Sequence, residues 1–144
     1  MSQAIRKHDP VRQSVHVDLP LEETFRLFTE AFAEWWPLAL YSVSGTDAQF
    51  CLLEPWLGGR VFERTASGEE HEWGSVIAWD PPRRLSLRWH PGERDAGRQT
   101  IDVEFRVDAR GTEVTVIHTG WETPWSSVAR HFASFASDRA LVLV

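Results

Sequence analysis

Residues 100–107 read Thr-Ile-Asp-Val-Glu-Phe-Arg-Val. Ile101, Val103, Phe105 and Val107 alternate with Thr100, Asp102, Glu104 and Arg106, and a period of two sends the apolar set to one face of a strand and the polar set to the other. One face of the resulting sheet is dry and needs a cover. The same texture continues on both sides. Strands are expected over 49–54, 59–64, 71–79, 84–90, 99–107 and 112–119. Turn residues separate them at 55–58, Ser67-Gly68, Asp80-Pro81-Pro82, 91–97 and Arg110-Gly111. Short strands spaced in this way describe an antiparallel meander.

Upstream, residues 11–19 alternate loosely and read as an opening strand. Pro20 suits the first position of a helix, and Glu22 and Glu23 face its positive dipole end. Leu21, Phe25, Phe28, Phe32 and Trp35 then fall on one helical face, and Pro37 stops the helix after Trp36. Downstream, Thr123 can cap and Pro124 can start a closing helix with Trp125, Val128, Phe132 and Phe135 along one side. The order strand, helix, six strands, helix is α+β. It leaves residues 1–10 as a polar N-terminal arm and 11–144 as one domain, because no linker or repeat divides the chain.

The 144 residues are 42% apolar and 25% charged, with 21 acids against 15 bases. A net charge of −6 with arginines scattered from Arg6 to Arg139 lacks the basic stripe that nucleic acid requires, so no nucleic-acid partner is expected. No apolar run is long enough for a bilayer, and the first residues lack the apolar core of a secretory signal. The lone Cys51 fits a reducing compartment, so the expected location is cytoplasmic. Fourteen Arg to one Lys and no Asn read as a GC-rich, bacterial genome. Eight Trp are the anomaly, since each needs burial for its ring and a partner for its N–H.

Several motifs occur in a fixed order: Trp35-Trp36-Pro37, Glu54-Pro55 before Gly58-Gly59-Arg60, Trp73-Gly74-Ser75-Val76, Asp80-Pro81-Pro82-Arg83-Arg84-Leu85, Gly111-Thr112-Glu113-Val114-Thr115 and His118-Thr119-Gly120-Trp121-Glu122. Taken together, from about Val11 to Trp125, they resemble the bacterial homologues of the activator of the 90-kDa heat-shock protein ATPase. That family lies within the START-like, birch-pollen-allergen-like superfamily called SRPBCC. The resemblance implies a helix-grip fold: a curved antiparallel sheet of about seven strands wrapped around a C-terminal helix, a helical segment after the first strand, and a deep apolar cavity. The Gly-Trp pair usual in the family's last helix is replaced here by Phe135-Ala136-Ser137-Asp138-Arg139, followed by the apolar tail 140–144. A short closing helix is expected, with the tail buried against the cavity mouth or against a second copy in a homodimer.

Catalytic motifs are missing. There is no Gly-x-Ser-x-Gly elbow, Gly58-Gly59-Arg60 lacks the rest of a dinucleotide fingerprint, and His71-Glu72 is not a spaced ligand set. No catalytic residue, metal or cofactor is therefore expected. The residues expected to line the cavity are Trp36, Phe62, Glu63, Trp73, Trp89, Phe105, His118, Trp121 and Trp125. His118 shares parity with Val114 and Val116 and so points inward. It is either a hydrogen-bonded core residue or the group that orients a ligand, with Glu63, an indole N–H, a water or a ligand as its partner. The first function expected is binding of a hydrophobic or aromatic small molecule. A polyketide cyclase or aromatase, and a chaperone-associated interaction protein, are the alternatives that the resemblance implies.

Overall fold

The computed structural model describes residues 10–90, 99–119 and 125–142. Strand β1 (Val11–Val17) leads into helices α1 (Leu21–Glu30) and α2 (Phe32–Trp35). Six strands follow: β2 (Ala48–Leu53), β3 (Arg60–Thr65), β4 (Glu70–Asp80), β5 (Arg84–Trp89), β6 (Thr100–Asp108) and β7 (Gly111–Thr119). Helix α3 (Trp125–Val142) is the last described element. The seven strands form one sheet in the order β1-β7-β6-β5-β4-β3-β2, antiparallel throughout. The helical crossover carries the chain from one edge of the sheet to the other. The meander then returns to pair β7 with β1, and the curled sheet grips α3 in the helix-grip manner.

The period-two reading of 100–107 holds in detail. Ile101, Val103 and Phe105 are buried, whereas Val107 is exposed where the strand outruns its cover. On β7, Thr112, Val114, Val116 and His118 point inward together. Gly74 lies where β4 and β5 run close, for a Cβ there would meet the Arg88 carbonyl oxygen at 2.0 Å.

Both helical regions depart from expectation. The single helix expected up to Trp36 is two, broken at Ala31 (φ −97°, ψ 19°). The break turns Trp35 so that its indole N–H reaches back to the Phe28 carbonyl at 2.9 Å. Phe25, Phe28, Phe32 and Trp35 remain buried as one apolar face, although Leu21 is only half-buried. The short closing helix is also corrected, because α3 runs for 18 residues. Nothing in 135–139 is a glycine or proline, so the helix continues into the apolar tail. Trp125, Val128, Ala129, Phe132 and Ala136 form its buried side. Thr123 and Pro124, and the burial of the tail 140–144, lie outside the described residues and side chains. No helix among the described residues is long and apolar enough to cross a membrane.

Phe28 joins the layers. Its ring centroid is 4.9 Å from Trp35, 5.6 Å from Phe105 on the sheet and 5.0 Å from Phe132 on α3. Removing it leaves a hole bounded by three separate elements, which cannot collapse together. Phe28→Ala should therefore lower the unfolding free energy by about 3–5 kcal/mol in urea titrations. A loss below about 1 kcal/mol would show that α1 is not part of the cooperative core.

Candidate functional site

Tryptophans from four elements converge at one end of the sheet. Trp36 follows α2, Trp73 lies in β4, Trp89 ends β5 and Trp125 opens α3. The Trp36 ring is 5.2 Å from Trp73, 5.7 Å from Trp89 and 5.3 Å from Trp125. Trp89 is in turn 5.2 Å from Trp125 and 6.0 Å from Trp73. All four are at most 5% exposed. The ring angles are tilted or edge-on, the arrangement that aromatic quadrupoles favour. The Trp36 N–H donates to the Tyr41 carbonyl at 3.0 Å, and the Trp73 N–H donates to Glu63 Oε1 at 2.7 Å.

Glu63 is fully buried on the Val61 side of β3, as parity requires. Its carboxylate accepts from the backbone N–H of Val43 (2.5 Å) and of Ser44 (2.8 Å), from the Ser44 hydroxyl and from Trp73. Burial is the largest single influence and pushes its pKa up, but these donors together outweigh it and hold the carboxyl below its ordinary value. Glu63 is thus a charged clamp that fixes the segment after Trp36 to the sheet. Beside it, Cys51 pairs across the strands with Glu63; burial first and that charge second push its thiol up to about 12. Such a thiol is a core residue and not a nucleophile.

His118 differs. It is 2% exposed, its Nε2 lies 3.2 Å from Gln99 Oε1, and its Nδ1 is buried with no hydrogen-bond partner among the described residues. The partner expected from sequence, Glu63, is engaged elsewhere. Gln99 had no marker in the sequence, yet register accounts for it: His118 stands opposite Ile101, and Gln99 is two residues before Ile101 on the same face. The Gln99 backbone carbonyl also accepts the backbone N–H of Trp89 at 3.0 Å, so one residue ties His118 to β5, the strand that ends in Trp89. Desolvation lowers the His118 pKa to about 4, and the imidazole is neutral at neutral pH.

The remaining expected residues are not brought to this cluster. Phe62 faces the opposite side of β3, where the Arg60 guanidinium lies 4.2 Å from its ring centroid, because alternation separates it from Val61 and Glu63. Phe105 packs on Phe25 at 5.0 Å and on Phe28, further along the core. Trp121 lies outside the described residues. Arg60 pairs with Glu54 and Glu70 on the outer surface. His71 meets Glu69 and Glu72 meets His90, and among the described residues no three potential metal ligands converge. Among the described residues, grooves open on the outside. One, of about 360 Å³, runs between α1 and the Pro81-Pro82 turn over Phe25 and Trp79, and another, of about 470 Å³, lies beside Arg83, Arg84 and Arg106. Neither includes His118 or the four clustered indoles.

Glu63→Gln keeps the size of the side chain but turns an NH2 toward groups that are themselves donors. At pH 7 it should cost about 1–3 kcal/mol in unfolding free energy. Because the folded pKa lies below the ordinary 4.5, the stability that Glu63 contributes is present above pH 4.5 and lost as pH falls through the folded value. The difference between wild type and variant should therefore shrink below pH 4.5. A pH-independent difference in chemical denaturation would contradict the charged clamp.

This architecture recurs in known structures. An Activator of Hsp90 ATPase homolog 1-like protein from Aeromonas hydrophila superposes with a TM-score of 0.66 at 19% identity, covering 92% of this chain and 95% of its own. A protein from Mesorhizobium loti gives 0.62 at 18% identity over 90% and 95%. An anthrahydroquino-γ-pyrone synthase gives 0.53 at 27% identity over 96% and 90%. Among curated proteins no sequence matches. Residues 18–134 match the family described as Activator of Hsp90 ATPase homolog 1-like protein. With most of its length within that match and the helix-grip fold in place, the chain belongs to this family, within the SRPBCC superfamily.

Proposed function

We propose that this protein binds an apolar or aromatic small molecule between the curled sheet and α3, at the end where Trp36, Trp73, Trp89 and Trp125 meet. The observation that carries this reading is the buried Nδ1 of His118 on the inward face of β7, which has no hydrogen-bond partner among the described residues. A polar atom left dry and unpaired costs about 1–3 kcal/mol, and native cores rarely keep one without a role. The indoles supply contact area and the imidazole supplies orientation, the division of labour found in small-molecule sites.

An enzyme of cyclase or aromatase type is the second reading, favoured by the likeness to the pyrone synthase. Turnover needs a tuned acid or base. Glu63 is held ionised by four donors, and a neutral imidazole with a pKa of about 4 is a weak base at neutral pH. Binding without turnover is therefore the better reading. A chaperone partner rests on the family description alone, and fold does not fix function.

The test is a titration with naphthalenes, larger polycyclic aromatics and fatty acids, followed by tryptophan fluorescence. Saturable changes are expected from aromatic members of the panel. His118→Phe, with its fold verified by circular dichroism, should weaken ligands that bear one polar group by about tenfold. A flat response from every compound would overturn the reading, and unchanged affinities in His118→Phe would make His118 a plain core residue.

A further inference from the structure

Gln99 and His118 are hydrogen-bonded side chain to side chain at the end of β7. Oε1 of a glutamine side chain can only accept, so the imidazole nitrogen facing it carries the hydrogen. In a neutral ring the other nitrogen then keeps its lone pair. That nitrogen is Nδ1, the buried atom with no partner among the described residues.

Resting on the binding site just proposed, we infer that Gln99 fixes His118 as a hydrogen-bond acceptor, and that the site selects aromatic ligands with a hydroxyl group, phenols or enols, whose O–H donates to Nδ1. Burial keeps the ring from becoming a cation, so it does not offer a second N–H to an anion. A carboxylate would set its lone pairs against that of Nδ1 and would bury its charge without a partner. An ether of the same ring system fills the same area and brings no donor. Gln99 touches no ligand in this account; it is a positioning residue that acts through the tautomer of His118.

The experiment compares 2-naphthol, 2-methoxynaphthalene and 2-naphthoic acid on the whole protein by tryptophan fluorescence and calorimetry. Nitrogen NMR of 15N-histidine-labelled protein reads the tautomer. Wild type should bind 2-naphthol about tenfold more tightly than the ether, and the acid more weakly than either. The His118 Nδ1 signal should be that of an unprotonated nitrogen. Gln99→Leu removes the acceptor that holds the tautomer and should erase the preference for the naphthol. Equal affinity for naphthol and ether, a protonated Nδ1, or a preference that survives Gln99→Leu would overturn the inference and leave the binding reading standing. Absence of binding by all three compounds would bring down both.

Discussion

A buried tryptophan needs an answer for its indole N–H, and much of this interior is arranged to provide one. Trp35 donates to the Phe28 carbonyl across the break between α1 and α2. Trp36 donates to the Tyr41 carbonyl in the segment that follows. Trp73 donates to Glu63, whose carboxylate in turn collects Val43 and Ser44. These bonds let large rings fill the wedge between a strongly curled sheet and the helix it grips. Aliphatic side chains would need many more residues to cover the same depth. The segment between α2 and β2, whose regular structure is a single 3-10 turn at Gly45–Asp47, is consequently held largely by the core.

Among the described residues, the buried carboxylate and the buried imidazole are treated in opposite ways. Glu63 stays charged because several donors converge on it, and a carboxylate with that many donors is structural. His118 is kept neutral by dehydration, with one nitrogen answered by Gln99 and the other without a partner among the described residues. A core optimised for stability alone would have replaced His118 by an apolar residue, as Val114 and Val116 stand beside it on the same face. The asymmetry separates the part of the cluster that holds the fold from the part to which we assign ligand recognition. It also separates this end of the sheet from the outer groove over Phe25 and Trp79, where charged side chains at the rim face water.

Local periodicity made most of the architecture readable in the sequence. The strands lie within two residues of where alternation and turn residues put them, because one dry face and short connections leave little freedom of register. The break at Ala31 was not readable, since Phe28, Phe32 and Trp35 keep the same apolar spacing whether or not the helix is continuous. The length of α3 was hidden by comparison with the family's usual ending, although the residues themselves carry no stop signal. At the site, parity correctly turned His118 and Glu63 inward, but which partner each took depends on contacts across the sheet. Gln99, Ser44 and Tyr41 carry no local mark of their roles. Phe62 shows the limit of burial as a guide, for it is buried under guanidinium groups on the far face and not beside the indoles.

The most direct measurement is a crystal structure of the protein with a hydroxylated aromatic bound. The account predicts its rings against Trp36, Trp89 and Trp125, with the hydroxyl oxygen roughly 2.6–3.2 Å from His118 Nδ1. A ligand seated in the outer groove between α1 and the Pro81-Pro82 turn, with His118 Nδ1 still unbonded, would contradict it.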